Sequence, residues 1–589
     1  MASPFRLTGL NSLGKDWWRG GKLEYGTGLE QEEGLLEETV LRSGAGRLVL
    51  GSGGLRLREV VDCARLISTP RLVVDDAAAE RIAASVALRD DLIASGMPIY
   101  GVTTGFGDSS TGHVSAAKAA TLQQNLIQYH LVGSGPEASA ETVRATMLIR
   151  ANCLARGYSG VRLEVIELIL DCLVHDILPL IPERGSVGAS GDLVPLCYLA
   201  DMLTGRGPVR SAGQVRDAAD ALREYGLTPI TLGPKEGLAL INGTSFMSAF
   251  ATLALADASE IAFAADVCTA VASEVLLGNR GHFAAFIHDS KPHPGQVLSA
   301  ARIRALLQGS SLSRDLPQVL DATPELGDAG YQRLVQPIQD RYSVRCAPNV
   351  TGVLHDTLDW AGRWVDVEIN SANDNPLFDP VGGSVHNGGN FYGGHVSQAM
   401  DSLKVAVANT ADLLDRQLAM VVDVKFNNGL TPNLIPRVTD DSPRAGLNHG
   451  FKGAQIACSA LVAEALKQAS PASVFSRSTE AHNQDKVSMG TIAARDARTV
   501  TELAERIVAL HLAALCQAAD LRGVDGLGHG TRAAYDFVRG HTAYLDSDRR
   551  LDHELASLAA AVRNGGLREA VAKYTPCSTE CLSVTLEVD

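Results

Sequence analysis

The segment Gly185-Ser186-Val187-Gly188-Ala189-Ser190-Gly191-Asp192 combines residue types that permit unusual backbone chemistry. Nearly all of its residues are small, so the chain can follow a very tight path. It fits a helix N-terminus capped by Ser190 or Asp192, or an anion-binding nest, although no Gly-Lys-Ser/Thr follows as in a P-loop. It also fits a cyclisation, in which the Gly191 nitrogen attacks the Ala189 carbonyl. Loss of water from Ser190 would then leave an electrophilic methylidene group.

Other loops are too polar and too rich in glycine to be simple connections between helices. Loops of this kind, held on a rigid frame, commonly carry binding and catalytic groups. They cover residues 100–113, 183–195, 240–245, 339–349, 370–376, 385–395 and 479–490.

Three residues in these loops have both a structural and a chemical interpretation. Tyr100 precedes a Gly/Thr/Ser-rich loop and could be its buried anchor. Asn242, at the edge of an apolar segment, fits a turn or a helix cap. Arg345 lies in a nearly neutral loop, where an arginine forms either a structural salt bridge or a bidentate contact with a carboxylate.

The elements that must position these loops are helices. Apolar residues recur at helical spacing in 139–155, and they cover well over one face of 396–423, 453–469 and 498–522. Few segments alternate with a period of two, and no repeat of 20–50 residues is present. The pattern predicts an all-α fold with a bundle of long buried helices.

Composition excludes several classes of protein. Asp and Glu number 67 against 52 Lys and Arg, a net charge of −15 without any basic block, so nucleic acid and anionic membranes are not expected partners. The ten cysteines are scattered, as in a reduced cytoplasmic protein. Cys577 and Cys581 lack a second pair or nearby histidines, so we expect no metal. No signal peptide or membrane span is predicted.

Seven motifs together resemble those of the aromatic amino acid lyase family, which contains histidine, phenylalanine and tyrosine ammonia-lyases and related aminomutases. The motifs are GSVGASGDLVPL, YGVTTGFG, LQQNLIQYHLVGSGP, LALINGTS, QDRYSVRCAP, NSANDNPL and HNQDKVSMG, in the family's order, within about residues 45–545. The resemblance implies a prosthetic methylidene-imidazolone (MIO) formed autocatalytically from Ala189-Ser190-Gly191. It also implies a helical homotetramer whose active sites are shared between subunits.

The chain divides into four expected parts, and the resemblance assigns catalytic roles. We expect an N-terminal arm (1–45), an MIO-bearing region with a lid loop (46–270), a long-helix core (271–545) and a C-terminal helix and tail (546–589). Tyr100 would be the base that removes a β-hydrogen, which requires a lowered pKa and a closing lid. Asn242 would bind the MIO and the substrate carboxylate, and Arg345 would clamp that carboxylate.

Further residues match the family's binding positions. Gln339 and Tyr342 resemble the pair that contacts the MIO and the leaving amine, and Phe391 would lie over the prosthetic group. In 482–485 an aspartate follows Asn483-Gln484, where histidine ammonia-lyases have a glutamate. This favours the phenylalanine/tyrosine branch, in which Lys452, Glu480 and Asn483 match binding positions. Lys452 and Glu480 also fit a surface or inter-subunit ion pair.

By the same resemblance, the dipeptide Tyr129-His130 aligns with the family position that selects the substrate ring. It aligns with Phe-Leu of phenylalanine enzymes, His-Leu of tyrosine enzymes and Ser-His of histidine lyases and some tyrosine aminomutases, and matches none of them. Slipping by one residue would give His130-Leu131, the tyrosine type, but the spacing of Gly133 and Gly135 disfavours it. Two polar groups here predict a substrate ring with a polar substituent.

These observations predict a cytoplasmic ammonia-lyase that converts L-tyrosine, L-phenylalanine or both to coumarate or cinnamate, which are phenylpropanoids. Three alternatives remain: a 2,3-aminomutase with the same residues, a histidine ammonia-lyase, and a non-catalytic helical scaffold. The intact tripeptide and Tyr100 argue against the scaffold, which would have no use for them.

Overall fold

The computed structural model describes residues 46–68, 70–321, 325–334 and 337–576, and its framework is helical. The helices in chain order are α1 (Leu57–Ala64), α2 (Asp76–Ala94), α3 (Ala116–His130), α4 (Ala140–Ala155), α5 (Leu163–Val174), α6 (Leu193–Leu203), α7 (Ala218–Glu224), α8 (Glu236–Ile241), α9 (Ser245–Val275), α10 (Ala285–Asp289), α11 (Pro294–Leu306), α12 (Leu316–Asp321), α13 (Tyr342–Arg345), α14 (Ala347–Ile369), α15 (Gly394–Val422), α16 (Lys452–Gln468), α17 (Gly490–Arg522), α18 (His529–Arg539), α19 (Asp552–Arg563) and α20 (Gly566–Val571).

Short strands of two to four residues are inserted between the helices. They are β1 (Arg47–Leu50), β2 (Arg71–Val74), β3 (Ser134–Glu137), β4 (Leu178–Pro179), β5 (Pro182–Arg184), β6 (Pro208–Ser211), β7 (Gln214–Asp217), β8 (Leu377–Asp379) and β9 (Ser384–His386). β1 pairs with β2 in parallel, with Arg47 opposite Arg71. Three further sheets have the strand orders β3-β5, β4-β6-β7 and β8-β9, and neighbouring strands in them are antiparallel. These strands fasten loops to the helical frame.

The core is a bundle of α9, α14, α15 and α17, against which α16 packs. The predicted all-α fold and the predicted segments 139–155, 396–423 and 453–469 are confirmed. Helix α17 begins at Gly490, ahead of the predicted 498. Helix α9 was not among the predicted long helices, because its alanines and apolar residues surround the whole helix and leave no polar face to mark its period.

Helix α9 is long and apolar enough to cross a membrane by length and composition, and 83% of its most apolar stretch is buried inside the protein. It also carries the buried carboxylates Asp257 and Asp266. These features fit the central helix of a bundle.

The described residues from Arg47 onward form one compact unit, and α9 runs across the division expected at residue 270. The predicted arm 1–45, the pair Cys577 and Cys581, and the end of the predicted tail lie outside the described residues. The cysteines within the described ranges are free thiols.

A buried cluster of charges joins distant parts of the bundle. Asp257 of α9 accepts hydrogen bonds from Arg65 (2.5 Å), Arg563 (3.1 Å) and Arg498. The same arginines reach Glu141 of α4 at 3.2, 2.6 and 2.7 Å. Burial opposes ionisation of Glu141, but the arginines outweigh it and lower the pKa of this carboxyl.

We expect Asp257→Ala to destabilise the protein strongly, because it leaves buried arginines without a counter-charge. Breaking one partner of a buried ion pair typically lowers the free energy of unfolding by about 3–5 kcal/mol. Asp220→Ala, which breaks the exposed ion pair with Arg223, is the control. It should change the free energy of unfolding by less than about 1 kcal/mol. Denaturant unfolding of both variants checks this, and equal shifts would contradict the account.

Candidate active site

The tripeptide Ala189–Ser190–Gly191 lies between β5 and α6, pressed against the residues that precede α9. The Gly243 N–H donates to the Ser190 carbonyl (3.2 Å), and the Asp192 N–H donates to the Gly243 carbonyl (2.8 Å). Gly191 has a φ of +72°, and a Cβ there would overlap the Gly243 carbonyl. A side chain is therefore excluded at position 191, as the tight path predicted from the sequence requires.

Asp192 anchors this turn to two other helices. It stands at the start of α6, but its side chain does not cap that helix. Its buried carboxylate instead accepts from the Met247 N–H of α9 (2.8 Å), from the Thr491 hydroxyl of α17 (2.5 Å) and from the Ser186 hydroxyl (3.2 Å). Burial raises the pKa of Asp192 to about 6, although the hydrogen bonds that its carboxylate accepts act to lower the pKa. The helix-cap interpretation of Asp192 is thus wrong for α6.

The carboxamide of Asn242 is held in one orientation. Its Nδ2 donates to Asp374 Oδ1 (3.1 Å) and to the Asn375 carbonyl (2.9 Å). Its Oδ1 is buried and has no hydrogen-bond partner among the described residues. Because both amide hydrogens are used, Asn242 offers an acceptor in this conformation, not the donor that the expected contact with a substrate carboxylate needs.

Tyr100 and the loop that follows it are held together by hydrogen bonds. The Tyr100 hydroxyl accepts from the Gly107 N–H (2.9 Å), and Glu480 accepts from the Asp108 N–H (2.8 Å). Burial raises the pKa of Tyr100, and the negative charge of Glu480 adds to this effect. The expectation of a lowered pKa for Tyr100 is therefore wrong for the single chain. Glu480 forms no ion pair with another described residue and holds the loop instead.

Tyr129 and His130 lie at the C-terminal end of α3, with their ring centroids 4.3 Å apart. His130 Nδ1 lies 2.9 Å from the Leu126 carbonyl of its own helix. A carbonyl only accepts, so Nδ1 carries the proton and Nε2 is left as an acceptor. Burial lowers the pKa of His130, which keeps the ring neutral.

A cavity of about 1000 Å³, the tripeptide cavity, brings most of the predicted site residues together. Within it, Gln484 Nε2 lies 3.4 Å from Ser190 Oγ. The predicted residues that line it are Tyr100, Tyr129, His130, Ala189, Ser190, Asn242, Phe391, Glu480, Asn483 and Gln484.

Other lining residues were missed by the sequence analysis. Asn125 and Leu122 lie one and two turns before Tyr129 on α3, so the helical spacing could have indicated them. Asn387 and Lys486 also line the cavity. They belong to loops that the sequence analysis singled out as motifs without weighing these side chains.

Apart from Gly191 of the tripeptide, the predicted residues that do not line this cavity lie elsewhere in the chain. Gln339, Tyr342 and Arg345 line a second cavity of about 1170 Å³, the Arg345 cavity. There the Arg345 guanidinium stacks on the Tyr342 ring at 4.5 Å and donates to the Asp340 carbonyl (3.0 Å). Lys452, the first residue of α16, is exposed and lines neither cavity. A single chain therefore does not join these residues to the tripeptide.

The residues around the tripeptide fit a group formed by its cyclisation. The contact between Gly191 and Gly243 allows a compressed turn, and the unpaired Asn242 Oδ1 can accept from a new donor. Among the described residues no group of three His, Cys, Asp or Glu side chains could hold a metal ion.

Comparison with known proteins places the chain in a family. The family described as aromatic amino acid lyase matches residues 55–540. Tyrosine ammonia-lyase of Cupriavidus metallidurans is 42% identical over 85% of this chain and 93% of its own. Histidine ammonia-lyase of Gloeobacter violaceus is 39% identical over 89% of this chain and 97% of its own.

A solved structure shares the fold. Tyrosine aminomutase from Streptomyces globisporus superposes with a TM-score of 0.84 at 36% identity, covering 90% of this chain and all of that one. The sequence matches and this superposition extend over most of the chain, well beyond the tripeptide. The chain therefore belongs to the aromatic amino acid lyase family and is a carbon–nitrogen lyase.

Proposed function

We propose that this enzyme is an MIO-dependent ammonia-lyase that acts on L-tyrosine, L-phenylalanine or both. A β-proton and the α-amine leave the substrate, a Cα–Cβ double bond forms, and coumarate or cinnamate is released with ammonia. The observation that carries the proposal is the tripeptide in the wall of a cavity that Tyr100 and His130 also line. The free cysteines among the described residues support a cytoplasmic enzyme, since thiols stay reduced in that compartment.

The MIO formed from Ala189–Ser190–Gly191 would supply an electrophilic methylidene carbon. Gly243 would hold the tripeptide through its N–H, which donates to the Ser190 carbonyl, and the Gln484 amide lies 3.4 Å from Ser190 Oγ, the oxygen that dehydration removes. Phe391 lines the same cavity, which supports the expected packing of its ring on the group.

Tyr100 would accept the β-proton as its phenolate. Because burial and Glu480 raise its pKa in the single chain, the working site must supply positive charge to stabilise the ionised form. Arg345 is the cation that the family resemblance brings to the substrate. Its position in the other cavity supports a site completed by a second subunit, in a homotetramer.

The substrate preference would follow from His130. Its Nε2 is an acceptor, so it can pair with the para-hydroxyl of tyrosine, which donates. Phenylalanine offers no donor at that position and would leave a buried acceptor unmet. Tyrosine is therefore the favoured substrate.

Incubation with tyrosine, phenylalanine and histidine separately, followed by assays of ammonia, arylacrylate and β-amino acid, tests the proposal. Ammonia and arylacrylate from tyrosine or phenylalanine support it. The likeness to a tyrosine aminomutase favours a β-amino acid product as the second candidate. Release of ammonia from histidine alone, or from none of the three, would contradict the proposal.

Tyr100→Phe should lower kcat by about 10²–10⁴, because loss of a general base typically has this effect. The rise of kcat/KM with pH, which reflects ionisation of the phenol, should also disappear, while cinnamate binding changes little. Thr103→Val is the control, since the Thr103 hydroxyl anchors the same loop through Ile99 and Met97 outside the cavity. If both variants lose kcat equally, Tyr100 is a loop anchor only.

Ser190→Ala and Arg345→Ala should each be inactive, yet mixed tetramers of the two should regain activity. A shared site can then take its tripeptide from one chain and its arginine from another, in roughly a quarter of sites if mixing is random. Mixing Ser190→Ala with Tyr100→Phe is the control. This mixture should not regain activity, because both residues line the tripeptide cavity of one chain. Activity of coexpressed, purified mixtures decides this, and no recovery in the first mixture would contradict a shared site.

His130→Leu should shift preference from tyrosine to phenylalanine. One hydrogen bond to a neutral group contributes about 0.5–1.5 kcal/mol, so kcat/KM for tyrosine should fall a few-fold to roughly tenfold. Steady-state kinetics with both amino acids measures the ratio. If both substrates lose activity in parallel, His130 serves only to bind Leu126 within its helix.

A further inference from the structure

The guanidinium of Arg345 is held at one of its three nitrogens. Its Nε donates to the Asp340 carbonyl (3.0 Å), and the group stacks on the Tyr342 ring. Among the described residues, neither Nη1 nor Nη2 has a hydrogen-bond partner. A guanidinium commonly binds a carboxylate through two parallel N–H groups. Because Nε is occupied, that pair must be Nη1 and Nη2.

Asp340, which occupies Nε of Arg345, is itself held by the segment that follows α9. The Asp340 N–H donates to His282 Nε2 (3.1 Å), and Asp340 Oδ2 accepts from the Asn279 N–H (2.8 Å). Gly278 permits this approach, because a Cβ there would lie 2.7 Å from Asp340 Oδ2. The side chains of His282 and Asp340 are 12% and 22% exposed, so the contact is largely shielded from water. The position of Arg345 therefore depends on a residue that precedes Asp340 by 58 positions.

The ring of His282 acts as an acceptor at Nε2. A backbone N–H only donates, so Nε2 carries no proton and the neutral ring has its proton on Nδ1. Burial lowers the pKa of His282, and the positive charge of Arg345 adds to this, outweighing the opposite effect of the Asp340 carboxylate. A protonated ring would lose the acceptor and direct its Nε2 proton to Asp340 Oδ2, which lies 3.5 Å away. The neutral ring is thus the form that holds the Asp340 N–H.

A chain of hydrogen bonds fixes the backbone of His282 and returns to the helix that follows Arg345. The His282 carbonyl accepts from His288 Nε2 (3.1 Å), so His288 Nδ1 is the acceptor for Gln296 Nε2 (3.1 Å). Gln296 Oε1 in turn accepts from Asn349 Nδ2 of α14 (2.9 Å). His288 and Gln296 are both buried. The segment that carries Arg345 is therefore anchored on both sides of the arginine.

We propose that His282 is a positioning residue for substrate binding, because its Nε2 holds the Asp340 main chain that occupies Arg345 Nε. The guanidinium then offers only its Nη1–Nη2 edge to the substrate carboxylate. His282 lines neither cavity, so it acts through Asp340 and does not contact the substrate. This role rests on the proposed function, in which Arg345 binds that carboxylate.

Two variants of similar size separate the acceptor from the rest of the ring. In His282→Gln the side-chain oxygen can replace Nε2 as the acceptor, whereas His282→Leu has none. His282→Leu should raise KM about three- to tenfold, as expected for one lost hydrogen bond, and His282→Gln should raise it by no more than about twofold. Both should leave kcat within about twofold, because Arg345 keeps its charge and binds the carboxylate equally before and during the reaction. His175→Leu is the control, since its ring stacks on Tyr225 and lines neither cavity, and it should change neither constant.

Ligands with and without a carboxylate show where a loss of binding arises. Measured by calorimetry, His282→Leu should weaken the binding of cinnamate about three- to tenfold and leave that of cinnamyl alcohol unchanged, since the alcohol has no carboxylate for Arg345. In an Arg345→Ala background, His282→Leu should not weaken cinnamate binding further. Equal weakening of both ligands, or losses that multiply in the double variant, would overturn the proposal.

Crystal structures of the variants distinguish this role from the proposed function. Arg345 Nε should remain bonded to the Asp340 carbonyl in His282→Gln and leave it in His282→Leu. If His282→Leu does not fold, His282→Asn replaces it, because its shorter amide cannot reach the Asp340 N–H. If the wild type releases no ammonia while the structures differ in this way, the proposed function fails and the positioning of Arg345 by His282 stands. An Arg345 that keeps its bond to Asp340 in both variants would overturn the positioning role itself.

Discussion

The contact between Gly191 and Gly243 is the constraint on which the site depends. With no Cβ on Gly191, the two backbones approach closely enough to exchange hydrogen bonds, and the tripeptide is fixed to the start of α9. Gly243 in turn packs on Arg150, a fully buried side chain that donates to the Ala239 carbonyl. The position of the tripeptide is therefore set by the helical core rather than by a flexible loop.

The tripeptide lies close to buried carboxylates, and each of them needs fixed partners. Asp192 and Asp374 lie in the wall behind it, and each is held by several donors or by a buried cation. Such groups are stable only when their partners are fixed, since an unpaired buried charge is strongly unfavourable. Arg345, which we propose as the residue that binds the substrate carboxylate, lies instead in the Arg345 cavity, where Tyr342 is 71% exposed. This separation is the physical reason to expect that a second chain completes the site.

Sequence reasoning predicted the fold class and ten of the residues that line the tripeptide cavity, but for different reasons. Helix α15 has faces of different polarity, so its period predicts it, whereas α9 is buried on nearly all sides and has no such pattern. The predicted residues of the tripeptide cavity were identified from sequence motifs that occur in the same order as in the family. The pKa of Tyr100 could not be predicted, because it depends on burial and on Glu480, which is distant in sequence. The orientation of Asn242 likewise depends on Asp374, a contact across 132 residues.

The central claim is that Ala189–Ser190–Gly191 becomes a cyclised, dehydrated group in the wild-type protein. High-resolution mass spectrometry of the proteolytic peptide containing residues 185–192 tests it most directly. Cyclisation and dehydration each release one water molecule, so the account predicts a peptide lighter than its sequence by two waters. The same peptide from Ser190→Ala lacks the hydroxyl that dehydration removes and cannot show this loss. A wild-type peptide with the full, unmodified mass would contradict the account.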